Sequence, residues 1–210
     1  MGDGGPVLGD TLRKRVEANL RGFSRLPVDG GELRPAAVAL ALIADEQAEP
    51  CFILTLRAAK LKNHAGQWAL PGGRLEPGET AQQAAVRELS EEVDLHLPAE
   101  SVLGLLDDYP TRSGFVITPV VVWAGDKSQL KPDPSEVAAV YRVPLGELGR
   151  PDVPRLRTIP ESPRPVISIP LLGTHIHAPT AAILYQLHEV AIEGRETRVV
   201  DFEQPVFAWR

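Results

Sequence analysis

The feature that most constrains this chain is a glycine-rich loop running directly into a helix with three glutamates on one side. The loop is Gly72-Gly73-Arg74-Leu75-Glu76-Pro77-Gly78-Glu79, and the helix ends in Arg87-Glu88-Leu89-Ser90-Glu91-Glu92-Val93-Asp94-Leu95. Thr80-Ala81-Gln82-Gln83 has the form of a capping box, which makes Thr80 the expected N-cap. Ala81, Ala84, Ala85, Val86 and Leu89 form an apolar stripe at helical spacing. Glu88, Glu91 and Glu92 stand at i, i+3 and i+4, so they project from one side of the helix near its C-terminal end. Three carboxylates repel one another there, and the last turn already carries the negative end of the helix dipole. A hard divalent cation resolves the conflict: Mg²⁺ or Mn²⁺ takes oxygen ligands from one or two carboxylates, water and substrate phosphate. An arbitrary E-x-x-E-E run reads as a solvated acidic face. The residues around this one set it apart.

The stretch follows G-x5-E-x7-R-E-U-x-E-E-x-G-U, where U is a bulky aliphatic residue. Gly73, Glu79, Arg87, Glu88, Leu89, Glu91, Glu92 and Leu95 all fall in place. This resembles the signature of the Nudix hydrolases. The departure is Asp94, where the family has Gly. That position follows the helix and is expected to be left-handed, which Asp tolerates better than most residues. The preceding stretch, Leu54 to Gly73, resembles a motif of the coenzyme A diphosphatase branch, L-T-x-R-x-x-x-L-x-x-H-x-G-Q-x-x-F-P-G-G. Leu54, Thr55, Arg57, Leu61, His64, Gly66, Gln67, Pro71, Gly72 and Gly73 agree with it. Ala58 stands where that branch often has Ser, and Leu70 where it has Phe. Thr111-x-Ser113-Gly114-Phe115 and Pro134-Ser135-Glu136-Val137 look like the same branch.

The resemblance implies an α/β fold, an α/β/α sandwich with a mixed central β-sheet and the signature helix packed on it. It implies hydrolysis of a phosphoanhydride in a nucleoside diphosphate derivative. Glu88, Glu91 and Glu92 would hold Mg²⁺ or Mn²⁺, with the Gly72 carbonyl as a further ligand. Arg87 and Glu79 would orient those ligands. Glu91, or Glu136 from a later loop, would take the proton from water. Arg57, His64, Gln67, Gly73, Arg74, Arg112 and Phe115 are the residues available to the substrate, Arg57 foremost for a phosphate and Phe115 for adenine. For coenzyme A or an acyl derivative, the products would be 3′,5′-ADP and (acyl-)4′-phosphopantetheine. Two alternatives stay open. One is hydrolysis of another nucleotide, such as ADP-ribose, NADH or a nucleoside triphosphate. The other is a Nudix-fold module that binds without catalysis, against which the three glutamates speak.

The rest of the chain narrows the setting. Its 210 residues suit one sizeable domain. The expected division is an N-terminal helix and connector over 1–35, the Nudix domain over 36–194 and a C-terminal extension over 195–210. A net charge of −6 argues against non-specific nucleic-acid binding. Cys51 is the only cysteine, so no intrachain disulfide forms. The start, Met1-Gly2-Asp3-Gly4-Gly5, has no apolar core of a signal peptide, and no apolar run reaches membrane-span length. A cytoplasmic protein without a membrane partner is the expectation, and a homodimer is left open. A helix is expected over 8–23, with Leu8, Leu12, Val16 and Leu20 on one stripe and Asp10 or Thr11 as cap. Strands are expected over 36–44 and 51–57 as a hairpin, then over 102–106, 116–123, 140–145 and 166–171. Pro119 points to an edge strand or an irregularity. Residues 151–165 read as irregular, 179–193 as a helix stopped by Gly194, and 199–209 as an extended tail packed by Phe202, Phe207 and Trp209. His175-x-His177 has the look of a metal pair but lacks a third ligand, and reads as structural.

Overall fold

The axis of the fold is a strand apolar on both faces, Arg34–Ala44 (β1). In the computed structural model, which describes residues 8–60, 66–126 and 129–209, this strand is flanked on both sides by others. The chain continues with β2 (Pro50–Arg57), β3 (Trp68–Ala69), β4 (Gly72–Arg74), β5 (Val102–Leu105), β6 (Tyr109–Pro110), β7 (Phe115–Gly125) and β8 (Val137–Pro144). β1 pairs with β7 in parallel and with β2 and β4 antiparallel, so the sheet is mixed. β1 and β2 are partnered only over Leu42–Ala44 and Pro50–Phe52. Beyond that they diverge, and the two short strands fill the gap, β4 against Ala36 to Val38 and β3 against Thr55 and Leu56. The glycine-rich loop is therefore wedged into a split in the sheet.

Each face of β1 feeds a separate core. Ala37, Ala39, Ala41 and Ile43 pack against Ala84, Ala85, Leu89 and Val93 of the signature helix, α2 (Ala81–Val93). Small side chains on both partners let that helix lie close to the sheet. On the other face, Leu40 and Leu42 join Leu12, Val16 and Leu20 of helix Asp10–Gly22 and Ile183 and Leu184 of helix Thr180–Gln186. The layers are helix, mixed sheet, helix. A second sheet, β9 (Arg155–Ile159), β10 (Ser162–Leu171) and β11 (Thr174–His177), shares this second core through Ile167, Ile169 and Ile176. The N-terminal connector is pinned by two buried aspartates. Asp107 accepts from Leu26 N–H at 2.7 Å and pairs with Arg198 at 2.9 Å, and Asp108 accepts from Val28 N–H at 3.0 Å.

Several sequence expectations are corrected. Pro119 lies inside the sheet, because β7 runs between β1 and the pair β5 and β6. Its carbonyl accepts from Leu106 N–H at 3.1 Å. The missing proline N–H thus points to the break between β5 and β6, where no strand partner is lost. The stretch 151–165 contains β9, whose side chains are mostly exposed and so leave little apolar pattern to read. The first helix is capped by Gly9 without a side-chain bond, so neither Asp10 nor Thr11 caps it. The helix after Pro179 keeps α geometry only to Gln186 and continues as a wider π turn over Leu187–Ile192. The tail is short of a true strand. It makes one parallel bridge, Val166 to Glu203, and ends in a 3₁₀ turn, Val206–Trp209. No helix among the described residues is long and apolar enough to cross a membrane.

Asp94 is left-handed, with φ 58° and ψ 32°, at the end of α2. Its carboxylate reaches His96 Nε2 at 2.9 Å across an exposed surface, a contact of small energetic weight. Asp94→Gly is expected to raise stability by up to about 1 kcal/mol, since glycine adopts this conformation without steric cost. Thermal melting measures the gain, and turnover should stay unchanged. Lost activity at an unchanged melting temperature would make Asp94 part of the site instead.

Candidate active site

The start of α2 is fixed by the capping box, with Gln83 N–H donating to Thr80 Oγ1 at 3.3 Å and Thr80 N–H donating to Gln83 Oε1 at 2.9 Å. Two turns later Arg87 gathers the surrounding carboxylates. Its Nε and Nη2 donate to Glu79 at 2.9 and 3.2 Å, and its Nη1 donates to Glu88 at 2.9 Å and to Glu91 at 2.8 Å. Nη2 also reaches the Arg74 carbonyl at 3.1 Å, tying the helix to the loop. Glu79 in turn accepts from Glu76 N–H at 2.9 Å. The hydrogen bond from Arg87 holds the Glu79 carboxyl below the usual range.

Glu88 and Glu92 are buried, Glu92 to 2 % exposure, while Glu91 is mostly exposed. Gly73 makes room for Glu88, and Gly72 lets the loop lie close against β1. A Cβ on Gly73 would lie 2.2 Å from Glu88 Oε1, and a Cβ on Gly72, whose φ is +158°, would lie 2.3 Å from the Ala37 carbonyl. Burial pushes Glu92 up to about 8, and the charges of Glu88 and Glu136 add to the rise against the pull of Arg57. The Gly72 backbone beside Glu92 draws its pKa down slightly. Burial also raises Glu88, opposed by Arg87. Arg57 Nη1 stands 3.8 Å from Glu92 Oε1, and its buried Nε has no hydrogen-bond partner among the described residues. Two buried carboxylates that repel each other, Glu88 held by Arg87 at 2.9 Å and Glu92 facing Arg57 at 3.8 Å, are short of positive charge. A hard divalent cation fits that donor set. The cage is not preformed: among the described residues no three acidic, histidine or cysteine side chains converge on one point. Arg87 holds Glu88 Oε1 and Glu91 Oε2 toward itself.

Beside this cluster opens a pocket of about 480 Å³, lined among others by Arg57, Gln67, Gly73, Arg74, Phe115 and His177. The structure thus brings Glu79, Arg87, Glu88, Glu91, Glu92, Gly72, Gly73 and Arg57 together. Glu136 stands close enough to act electrostatically on both Glu88 and Glu92. Arg112 has a different job from a phosphate contact. Its guanidinium pairs with the buried Glu203 at 2.7 Å and lies over the Trp209 ring at 4.8 Å. Burial alone would raise Glu203, but Arg112, Gln204 N–H, Arg164 and Ser162 together bring it down to about 2. Phe115 is already covered by the Arg34 guanidinium, 4.1 Å from its centroid. His64 lies outside the described residues. His175 and His177 share one face of β11 with their rings 6.5 Å apart, and both line the pocket. Burial, and then His175 and Arg157, lower the His177 pKa. Sequence reasoning missed the pocket wall formed by Trp68, Ile176, Ile183, Gln204 and Phe207. Only the aromatic residues of the tail hinted at packing there.

The architecture and the site together define a class, a sandwich with a glutamate-bearing helix set against a glycine-rich loop. Residues 33–165 match the model of the NUDIX domain, and the chain belongs to the Nudix family. A Photorhabdus laumondii protein named an uncharacterized Nudix hydrolase NudL is 39 % identical over 115 residues, 54 % of this chain and 60 % of that protein. A Citrobacter koseri protein of the same name is 35 % identical over 130 residues, 60 % of this chain and 68 % of that protein. The chain therefore spans only 60 % of the length of the Photorhabdus relative. The crystal structure of a MutT/nudix family protein from Enterococcus faecalis shares the fold, with a TM-score of 0.52 at 15 % identity over 81 % of this chain and 66 % of that one. Hydrolases of this family generally use divalent metals such as Mg²⁺ or Mn²⁺.

The raised Glu92 carboxyl makes the metal-free protein pH-sensitive. Its folded pKa, about 8, lies above its ordinary value of 4.5. The folded state then binds more protons than the unfolded state between those values, so stability falls as pH rises through that window. In chelator, the melting temperature should drop between pH 5 and pH 8 by roughly several degrees. Mn²⁺ should restore it at pH 8 more than at pH 5, and Glu92→Gln should flatten the profile. A flat wild-type profile would contradict the assignment.

Proposed function

We propose that this chain hydrolyses the diphosphate bond of coenzyme A or an acyl derivative with Mg²⁺ or Mn²⁺, giving 3′,5′-ADP and (acyl-)4′-phosphopantetheine. The observation that carries the hydrolytic reading is the pair of buried, mutually repelling carboxylates, Glu88 bonded to Arg87 and Glu92 3.8 Å from Arg57. Glu88, Glu91 and Glu92 would hold the metal, with the Gly72 carbonyl as a further ligand. Held there, a divalent cation would supply neutralisation of the diphosphate charge and a lowered pKa for water. The remaining work falls to the chain. Arg87 and Glu79 orient Glu88 and Glu91. Arg57, already drawn to the site by Glu92, holds a diphosphate oxygen by charge-assisted hydrogen bonds. Glu91 or Glu136 accepts the proton. The coenzyme A reading rests on the match of Leu54 to Gly73 with the branch motif, a stretch that supplies both Arg57 and the pocket wall around Gln67 and Trp68. Residues 36–194 carry the chemistry, and the extension over 195–210 closes the pocket through Gln204 and Phe207. The substrate is a small molecule in the cytoplasm, without nucleic-acid or membrane partners.

Two substitutions test this reading. Glu92→Gln should lower turnover by about a hundredfold or more, equivalent to roughly 3 kcal/mol of transition-state stabilisation. The fold should survive, because one buried charge has been removed. Near-normal turnover at saturating Mg²⁺ would remove the metal assignment. Arg57→Ala should lower kcat/KM by about ten- to a hundredfold, the weight of one charge-assisted hydrogen bond. Because Arg57 stands beside Glu92, the loss should be the same on coenzyme A and on dephospho-coenzyme A. Wild type that ignores coenzyme A and cleaves ADP-ribose or NADH efficiently would overturn the substrate assignment.

A further inference from the structure

Arg74 and Phe115 line the pocket, and the exposed Arg34 lies at its rim over the Phe115 ring. Arg34 on β1 is in register with Phe115 on β7, and Arg74 on β4 is in register with Ala36 on β1. The three side chains therefore rise from neighbouring strands on one face of the sheet. Arg34 lies 4.1 Å from the Phe115 ring centroid, and Arg74, passing the small Ala36, lies 5.3 Å from the same centroid. Among the described residues neither guanidinium has a carboxylate partner. Arg34 Nη2 only donates to the Ser113 carbonyl at 3.3 Å. Elsewhere in this acidic chain the arginines near the site are paired, Arg57 with Glu92, Arg87 with Glu79 and Arg112 with Glu203. Two like charges held over one ring repel each other, and stacking only partly offsets that cost. An anion between them removes it.

We infer that Arg34 and Arg74, held on Phe115, form a clamp for a phosphate monoester on the substrate, separate from the diphosphate that is cleaved. This deepens the function proposed above and rests on it for the identity of the monoester, the 3′-phosphate of coenzyme A. The position supports it. Gly73, the neighbour of Arg74, touches Glu88, so the clamp and the carboxylates sit on opposite sides of a single loop residue. Arg57, Gly73, Arg74 and Phe115 line one pocket, so a single ligand can face both sites. Arg57 stands on the carboxylate side, beside Glu92, which leaves the clamp to read the second phosphate. The guanidinium fork suits such a dianion, and both forks are presented by strands rather than by mobile loops.

The test separates the clamp from the coenzyme A reading. Calorimetry on the whole chain compares adenosine 3′,5′-bisphosphate with AMP, which lacks the 3′-phosphate. Wild type should bind the bisphosphate about ten- to a hundredfold tighter, the weight of one charge-assisted contact. Arg34→Gln and Arg74→Gln should each lose most of that preference and keep their affinity for AMP, while Arg34→Lys keeps part of it. Melting temperatures confirm that each variant is folded. Equal binding of the two nucleotides by wild type, or equal weakening of both in the variants, would overturn the clamp. Turnover of coenzyme A is measured separately. A wild type that shows the binding preference and leaves coenzyme A intact keeps the clamp and removes the coenzyme A reading.

Discussion

Arg87 is the interaction on which the site depends. One guanidinium satisfies Glu79, Glu88, Glu91 and the Arg74 carbonyl, four acceptors drawn from the loop and the helix. Without it, three carboxylates and a backbone oxygen would face one another across a narrow gap. A planar fork with five donors can serve such a set, whereas a lysine ammonium, as a point charge, could not hold Glu79 through two atoms and still reach the rest. The same contacts hold the loop in the split between β1 and β2. Electrostatics at the site and packing of the sheet are thus one problem with one solution.

The division of the glutamates follows from where the helix lies. Glu88 and Glu92 turn toward the loop and lose water, while Glu91 stays in solvent. Burial is what makes their charges costly to hold side by side. The alanines that bring α2 close to β1 therefore shape the site as much as the core, since a bulkier residue at Ala37 or Ala39 would lift the helix from the loop. Gly73 states the same tolerance from the other side, because the room a methyl group would take is filled by Glu88.

What could be read in the sequence was local. The capping box, the spacing of the glutamates and the left-handed Asp94 all lie within a few residues of the features that reveal them. The mixed sandwich was legible through the family resemblance, and the apolar runs of β1 and β2 through their composition. What could not be read depends on distant partners. Arg112 looked available because Glu203 follows it by 91 residues. Phe115 looked open because the arginine covering it belongs to β1. β9 carries little apolar pattern because its side chains are mostly exposed, and Pro119 left an edge and an irregularity equally open because the break that absorbs its missing N–H lies in distant partner strands.

The tail has a consequence in time as well as in space. Glu203 is gripped by Arg112, Arg164 and Ser162, and the residues just beyond it form one wall of the pocket. Protein synthesis runs from the N-terminus, so the helix-borne carboxylates leave the ribosome long before that wall exists. A nascent chain can dock α2 on the sheet while its cavity still lies open on one side. Closure of the pocket is then a late event in the life of each molecule, and a chain cut short before Glu203 would present the carboxylates beside a pocket missing one wall.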